Sequence, residues 1–122
     1  MNGHPLFYLL LRVMAKIHSD KNHDYATNAD PLSNFRECEG FGVDAGKGIM
    51  VRMSDKWSRL KQLELKGEAL VKDESLLDTL LDLANYSVLR AILYIEKHPE
   101  ALEKLLEKWN VRKEVQDENL GF

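Results

Sequence analysis

Three carboxylates, Glu74, Asp78 and Asp82, stand at strict four-residue spacing, and Asn85 and Tyr86 follow them. On a helix, residues four apart stack on one side, so this spacing makes an acidic ladder on a leucine-rich rod running from about Lys72 to Tyr94. Like charges at that spacing repel by a few tenths of a kcal/mol per pair. The ladder therefore does nothing for the isolated helix. One reading is a solvated face of an amphipathic helix; the other is a divalent-cation site. Helix-borne carboxylates, joined by Asp55 from a neighbouring helix, suit Mg²⁺ or Mn²⁺, hard cations that prefer oxygen donors. Magnesium takes few protein ligands and leaves positions for water and substrate phosphates.

A second set is cationic. Arg52, Asp55, Lys56 and Arg59 share one charged helix face. As a surface ion-pair set they would contribute little to stability. As a phosphate-facing surface, Arg gives paired oxygen contacts and Lys a point charge. A third set lies between Ser19 and Phe35, where Lys21, His23, Asp24, Tyr25, Asn28, Asn34 and Phe35 crowd together. That stretch is rich in Asp, Asn and Ser, ends in a proline turn and has no sustained period, which predicts a loop. Aromatic and amide groups of this kind can hold a base by stacking and hydrogen bonding. An ordinary polar connector, pinned by Tyr25 and Phe35, is the competing reading.

Other chemistries are set aside. Gly46, Lys47 and Gly48 lack the frame of a phosphate loop, and no strand precedes them. The four histidines are scattered and make no zinc spacing with Cys38. There is no nucleophile elbow. Cys38, the one cysteine, cannot form an internal disulfide and fits a small packed residue in a reducing cytoplasm.

The elements that must position these groups read as all-α. Helix one is expected over 4–19, with Pro5 at its first position and Leu6, Leu9, Leu10, Val13, Met14 and Ile17 on its buried face. Its apolar character is broad enough to suggest contact with another subunit. A short helix follows Pro31. Helix two runs from an Asp44 cap to Gly67, with a stripe of Ile49, Met50, Met53, Trp57 and Leu60, and with Gly46 and Gly48 placed for close approach by a neighbour or a ligand. Helix three, capped by Asp73 and stopped by Pro99, is expected to bury Leu76, Leu77, Leu80, Leu83, Ala84, Val88, Ala91 and Ile95. A short amphipathic helix covers 100–109. The expected architecture is a bundle of three long helices plus short ones in a single domain over 1–109, followed by a polar arm over 110–122.

Composition agrees. The chain has 122 residues, 44% hydrophobic and 30% charged, with a net charge of −3. That is ordinary for one soluble domain and offers no concentrated basic surface for direct nucleic-acid binding. The apolar run from Pro5 to Met14 is too short to span a bilayer, is interrupted by Arg12 and lacks the flanks of a signal peptide. An intracellular protein without a membrane partner is expected.

Taken together, Lys21-x-x-Asp24-Tyr25, Asn34-Phe35, Arg52-Met53-x-Asp55-Lys56-x-x-Arg59 and Glu74-Ser75-x-x-Asp78-Thr79-x-x-Asp82-x-x-Asn85-Tyr86 resemble the phage- and bacteria-associated nucleotide-modification domain. That domain is grouped with the MazG-like, all-α nucleoside triphosphate pyrophosphatases. The resemblance covers about residues 5 to 97, and its last motif is the most specific. It implies a helical bundle built as a homo-oligomer, a dimer or tetramer. It also implies Mg²⁺ held by carboxylates of two helices, with Asp55, Glu74 and Asp78 as ligands and Asp82 as an additional one. The implied reaction is hydrolysis of a nucleoside triphosphate, often a deoxy one, to monophosphate and pyrophosphate. Lys21, Asp24, Tyr25, Asn34, Phe35, Arg52, Lys56, Arg59, Asn85 and Tyr86 would hold the substrate, in the cytoplasm of a bacterial or phage-infected cell. The chain departs from the MazG pattern on its first metal helix, where Asp55 stands in place of Glu-x-x-Glu. On the second, Glu74-x-x-x-Asp78 is one residue wider than Glu-x-x-Asp. Two other readings stand beside it: a nucleotide-binding module without catalysis, which this departure motivates, and a structural bundle whose acids are surface, which the broad apolar character of helix one and the leucines of helix three fit.

Overall fold

The computed structural model describes residues 2–25, 30–66 and 75–114. Four α-helices account for most of them: α1 (Pro5–Tyr25), α2 (Ala45–Lys66), α3 (Leu76–Lys97) and α4 (Pro99–Trp109). Two 3₁₀ turns, Ser33–Phe35 and Glu37–Phe41, lie between α1 and α2. Among the described residues there is no strand, so the all-α expectation holds. No helix among them is long and apolar enough to cross a membrane.

The centre of the fold is the α2–α3 pair. The two helices run antiparallel: Asp44 at the start of α2 pairs with Lys97 at the end of α3, Lys56 meets Asp82 midway, and Leu60 lies near Leu76 at the far end. Ile49 is the anchor at 1% exposure, with Leu32, Ala45, Leu89 and Leu93 around it and Phe35, Met53 and Tyr86 packed against them. Truncating such a buried Ile to Ala typically costs 2–5 kcal/mol. Thr79 is completely buried, and its hydroxyl donates to the Ser75 carbonyl at 2.9 Å, so the buried polar group is satisfied.

Gly46 and Gly48 do allow close approach, by neighbours within the chain. A Cβ on Gly48 would sit 2.8 Å from Cys38 Sγ, and one on Gly46 would sit 2.9 Å from the Arg90 guanidinium carbon. Cys38 is packed there as a free thiol. The second 3₁₀ turn ends at Gly42 in the left-handed conformation, φ 81°.

Three expectations are corrected. Helix one continues to Tyr25, so Lys21, His23 and Asp24 are helical and not in a loop. The stretch after Ser19 contains no Gly or Pro until Pro31, and Lys16 pairs with Asp20 at 2.8 Å across one turn. The polar composition that reads as loop is the exposed and pocket-facing side of a helix. Second, the buried face of α3 is rotated: Thr79, Leu89 and Leu93 are buried, while Leu77, Leu80, Val88 and Ala91 are exposed. Leucines lie around most of that helix, so its period does not select a face; the winning face is the one that mates with Ile49, Met53 and Lys56. On α2, likewise, Leu60 and Leu63 are buried and Met50 and Trp57 are exposed. Third, Leu6, Leu9 and Val13 of α1 are exposed, and no described α1 residue is buried.

The cap of α3 is Ser75. Its Oγ accepts from the Asp78 backbone N–H at 3.0 Å and donates to Asp78 Oδ2 at 2.7 Å. Asp73, the cap expected from sequence, lies outside the described residues. Asp44 caps α2 as expected, accepting from the Lys47 N–H at 3.2 Å. Asn110, left-handed at φ 53°, closes α4.

Candidate functional site

Where α1, the first 3₁₀ turn, α2 and α3 converge, they enclose a pocket of about 250 Å³. From α1 come Ile17, His18, Lys21 and Asn22; from the turn, Asn34 and Phe35; from α2, Arg52; from α3, Asp82, Asn85, Tyr86 and Leu89. The floor is aromatic. The Phe35 ring meets Tyr86 edge-on, with centroids 6.4 Å apart and planes at 84°, and the Arg52 guanidinium lies 5.0 Å above Phe35. Such an arrangement offers a π surface with a cation at its rim.

One wall is charged. The side chain of Asp82 is only 19% exposed and pairs with Lys56 Nζ at 3.0 Å and with Lys21 Nζ at 3.5 Å. The rotation of α3 that exposes Leu77 and Leu80 brings Asp82 inward to this position. Amides line the pocket as well. Asn85 Nδ2 donates to the Met14 carbonyl at 3.4 Å, tying α3 to α1. Asn34 Oδ1 is buried and has no hydrogen-bond partner among the described residues.

Lys21, Asn34, Phe35, Arg52, Asp82, Asn85 and Tyr86, all picked out from sequence, are thus brought together around one cavity, with Lys56 behind Asp82. Arg59 is half-buried further along α2. Asp55 points out as an exposed residue, and the Asp78 carboxylate is engaged with Ser75 at the helix cap. Glu74 and the side chains of Asp24 and Tyr25 lie outside the described residues. His18 and Asn22 were not foreseen; they follow from Lys21 at helical spacing once α1 is known to continue through it.

As to a cation, no group of three or more His, Cys, Asp or Glu that could hold a metal occurs among the described residues. Asp82 already carries two ammonium groups and Asp78 a cap hydroxyl. Mg²⁺ takes few protein ligands, and Asp78 and Asp82 would hold one together with Glu74, which lies outside the described residues.

The site belongs to a small all-α domain with a cation-rimmed aromatic pocket between its helices. The chain is a member of the family described as nucleotide modification associated domain 1, which matches residues 21–93 and so takes in the pocket from Lys21 to Leu89. No curated protein and no solved structure matches it.

Proposed function

We propose that the protein binds a nucleoside triphosphate, with its base in the Phe35–Tyr86 pocket, and hydrolyses it to monophosphate and pyrophosphate. The observation that carries the binding is the pocket itself, where an aromatic floor and the amides of Asn34 and Asn85 meet Lys21 and Arg52, with Lys56 on Asp82 beside them. Its volume suits a base and leaves the phosphates outside, towards Arg52, Lys21 and Lys56. Aromatic stacking gives a base on the order of 1–3 kcal/mol. Membership of a nucleotide-modification family supports the same class of ligand. Hydrolysis rests on the likeness to MazG-type enzymes, as does the requirement for Mg²⁺ or Mn²⁺ at Asp55, Glu74, Asp78 and Asp82; when bound, the cation would neutralise charge building on phosphate oxygens. The bacterial or phage-infected cytoplasm is the compartment implied.

A second reading, binding without hydrolysis, is favoured by the pairing of Asp82 with Lys21 and Lys56. A panel of NTPs and dNTPs with Mg²⁺ or Mn²⁺, read by pyrophosphate release, separates the two. Under the hydrolysis reading, Asp78→Asn abolishes release while keeping helical circular dichroism. Thermal stabilisation by nucleotides in a wild type that releases no pyrophosphate from any of them would leave binding alone.

We propose also that the protein is a homo-oligomer in which a second copy covers the groove between α1 and α3. Leu11, Met14, Ala15, Val88, Leu89 and Ile92 line that apolar groove of about 350 Å³. It shares His18, Asn85 and Leu89 with the nucleotide pocket.

A further inference from the structure

Where α2 begins and α3 ends, the pair holds a second polar cavity of about 370 Å³. It shares no lining residue with the Phe35–Tyr86 pocket. Arg36, Arg90 and Lys97 line it, against Glu39, Asp44 and Glu96. By charge alone these cancel, but most of them are already spent on one another. Arg36 is bound to Asp30 and Glu96, and Lys97 to Asp44, which also accepts from the Lys47 N–H. Glu39 and Arg90 are left over.

Those two differ in what their charge costs. Glu39 is exposed, so water carries its charge. Arg90 is half-buried, and among the described residues no hydrogen bond or ion pair reaches it. Its guanidinium lies against the first turn of α2, where a Cβ on Gly46 would come 2.9 Å from Arg90 Cζ and 3.1 Å from its Nε. Gly46 lines the cavity too, so its missing side chain is what seats the guanidinium there. The beginning of a helix carries partial positive charge. That seat therefore adds repulsion to the cost of a partly desolvated cation with no counter-charge. An anion in the cavity would relieve both. The guanidinium fork fits two oxygens of one phosphate or carboxylate group. Tyr94 and His98, whose rings lie 4.5 Å apart, line the same cavity and are residue types that can donate as well.

We propose that this cavity is a binding site for a small oxyanion, a phosphate or carboxylate group held by Arg90. It is separate from the nucleotide pocket and does not depend on the nucleotide reading.

The test is a titration of isotope-labelled protein, followed by nuclear magnetic resonance, with sodium phosphate and separately with sodium acetate. Sodium chloride at equal ionic strength is the control, since it screens without offering paired oxygens. At least one oxyanion should move the Arg90 Nε–H and Gly46 N–H signals along a saturating curve in the millimolar range, and chloride should not. A response to phosphate alone marks a phosphate site; a response to acetate alone marks a carboxylate site. In Arg90→Gln the Gly46 response should weaken by about tenfold or more. Arg90→Lys, which keeps the charge and loses the fork, should fall between that variant and wild type. The side-chain amide signals of Asn34 and Asn85 report the other pocket, and their response to phosphate should be the same in wild type and Arg90→Gln. Gly46 and Arg90 signals that move no further with either oxyanion than with chloride overturn the proposal. So does a saturating Gly46 response that both variants leave unchanged.

Discussion

At the scale of single residues, the site separates groups that hold the fold from groups held ready for a ligand. Asp82 belongs to both. Its carboxylate pairs with Lys21 and Lys56, and under the proposed reading the same two ammonium groups would meet a triphosphate. Arg52 is simpler, being exposed, stacked over Phe35 and without a carboxylate partner among the described residues. Arg52→Gln should therefore leave unfolding in urea within about 0.5 kcal/mol of wild type, the usual range for a surface change. It should also weaken triphosphate binding by roughly tenfold and flatten its dependence on salt, since one charge–phosphate contact is lost. Titration at two ionic strengths checks this, and an unchanged affinity would take Arg52 out of the site.

At the scale of elements, α3 is set by its ends as much as by its leucines. Ser75→Ala removes a cap bond to the Asp78 N–H and should cost about 1 kcal/mol in chemical denaturation. The other end of the α2–α3 pair is electrostatic. The Lys97 ammonium, with the Lys47 N–H, holds the Asp44 carboxyl below its ordinary value, and Arg36, with the Leu32 N–H, does the same for Asp30. Arg36 is pushed up in turn, bound to Asp30 at 2.7 Å and to Glu96 at 2.8 Å. Because these carboxyls titrate lower when folded, their contribution is fully present above the unfolded value of about 3.9 and is lost as pH falls through the folded value. Asp44→Asn keeps a capping side chain and deletes the ion pair. Its melting temperature should fall below that of wild type at pH 5–7, and the gap should close towards pH 2. The helices themselves were legible from apolar period, caps and proline positions, and α2 and α4 fall within a residue or so of expectation. The end of α1 was not, because the Asp and Asn residues that favour turns also suit a polar helix face. Nor was the buried face of α3, because a rod apolar nearly all round does not declare its inner side. Most of the residues lining the pocket were nevertheless singled out, Asn34 and Phe35 from a polar stretch with aromatics, Arg52 from a charged helix face, and Asn85 and Tyr86 through the motif of the resemblance. Their meeting around one cavity is a property of packing and could not be read from spacing.

At the scale of the whole molecule, the monomer leaves much of its apolar surface uncovered. On α1, Leu6 and Phe7 are 55% and 59% exposed; on α3, Val88 is 51% exposed beside Ile92. Scattered surface leucines need no account, but a continuous groove lined by two apolar helices does. The proposed second copy fits it, since its own α1 offers the same broad apolar face. Because the groove shares His18, Asn85 and Leu89 with the proposed nucleotide pocket, covering it would also close one side of that pocket. Association and nucleotide binding are then coupled, and each strengthens the other by the same factor. Sedimentation at micromolar concentration should give a mass at least twice 14.1 kDa. Val88→Glu, at an exposed position, should return the chain to a helical monomer that binds nucleotide more weakly than wild type. Nucleotide added to wild type should shift the association to lower protein concentration. Wild type that sediments as a monomer at tens of micromolar, with or without nucleotide, would leave the groove without its second copy and the pocket as a site made by one chain.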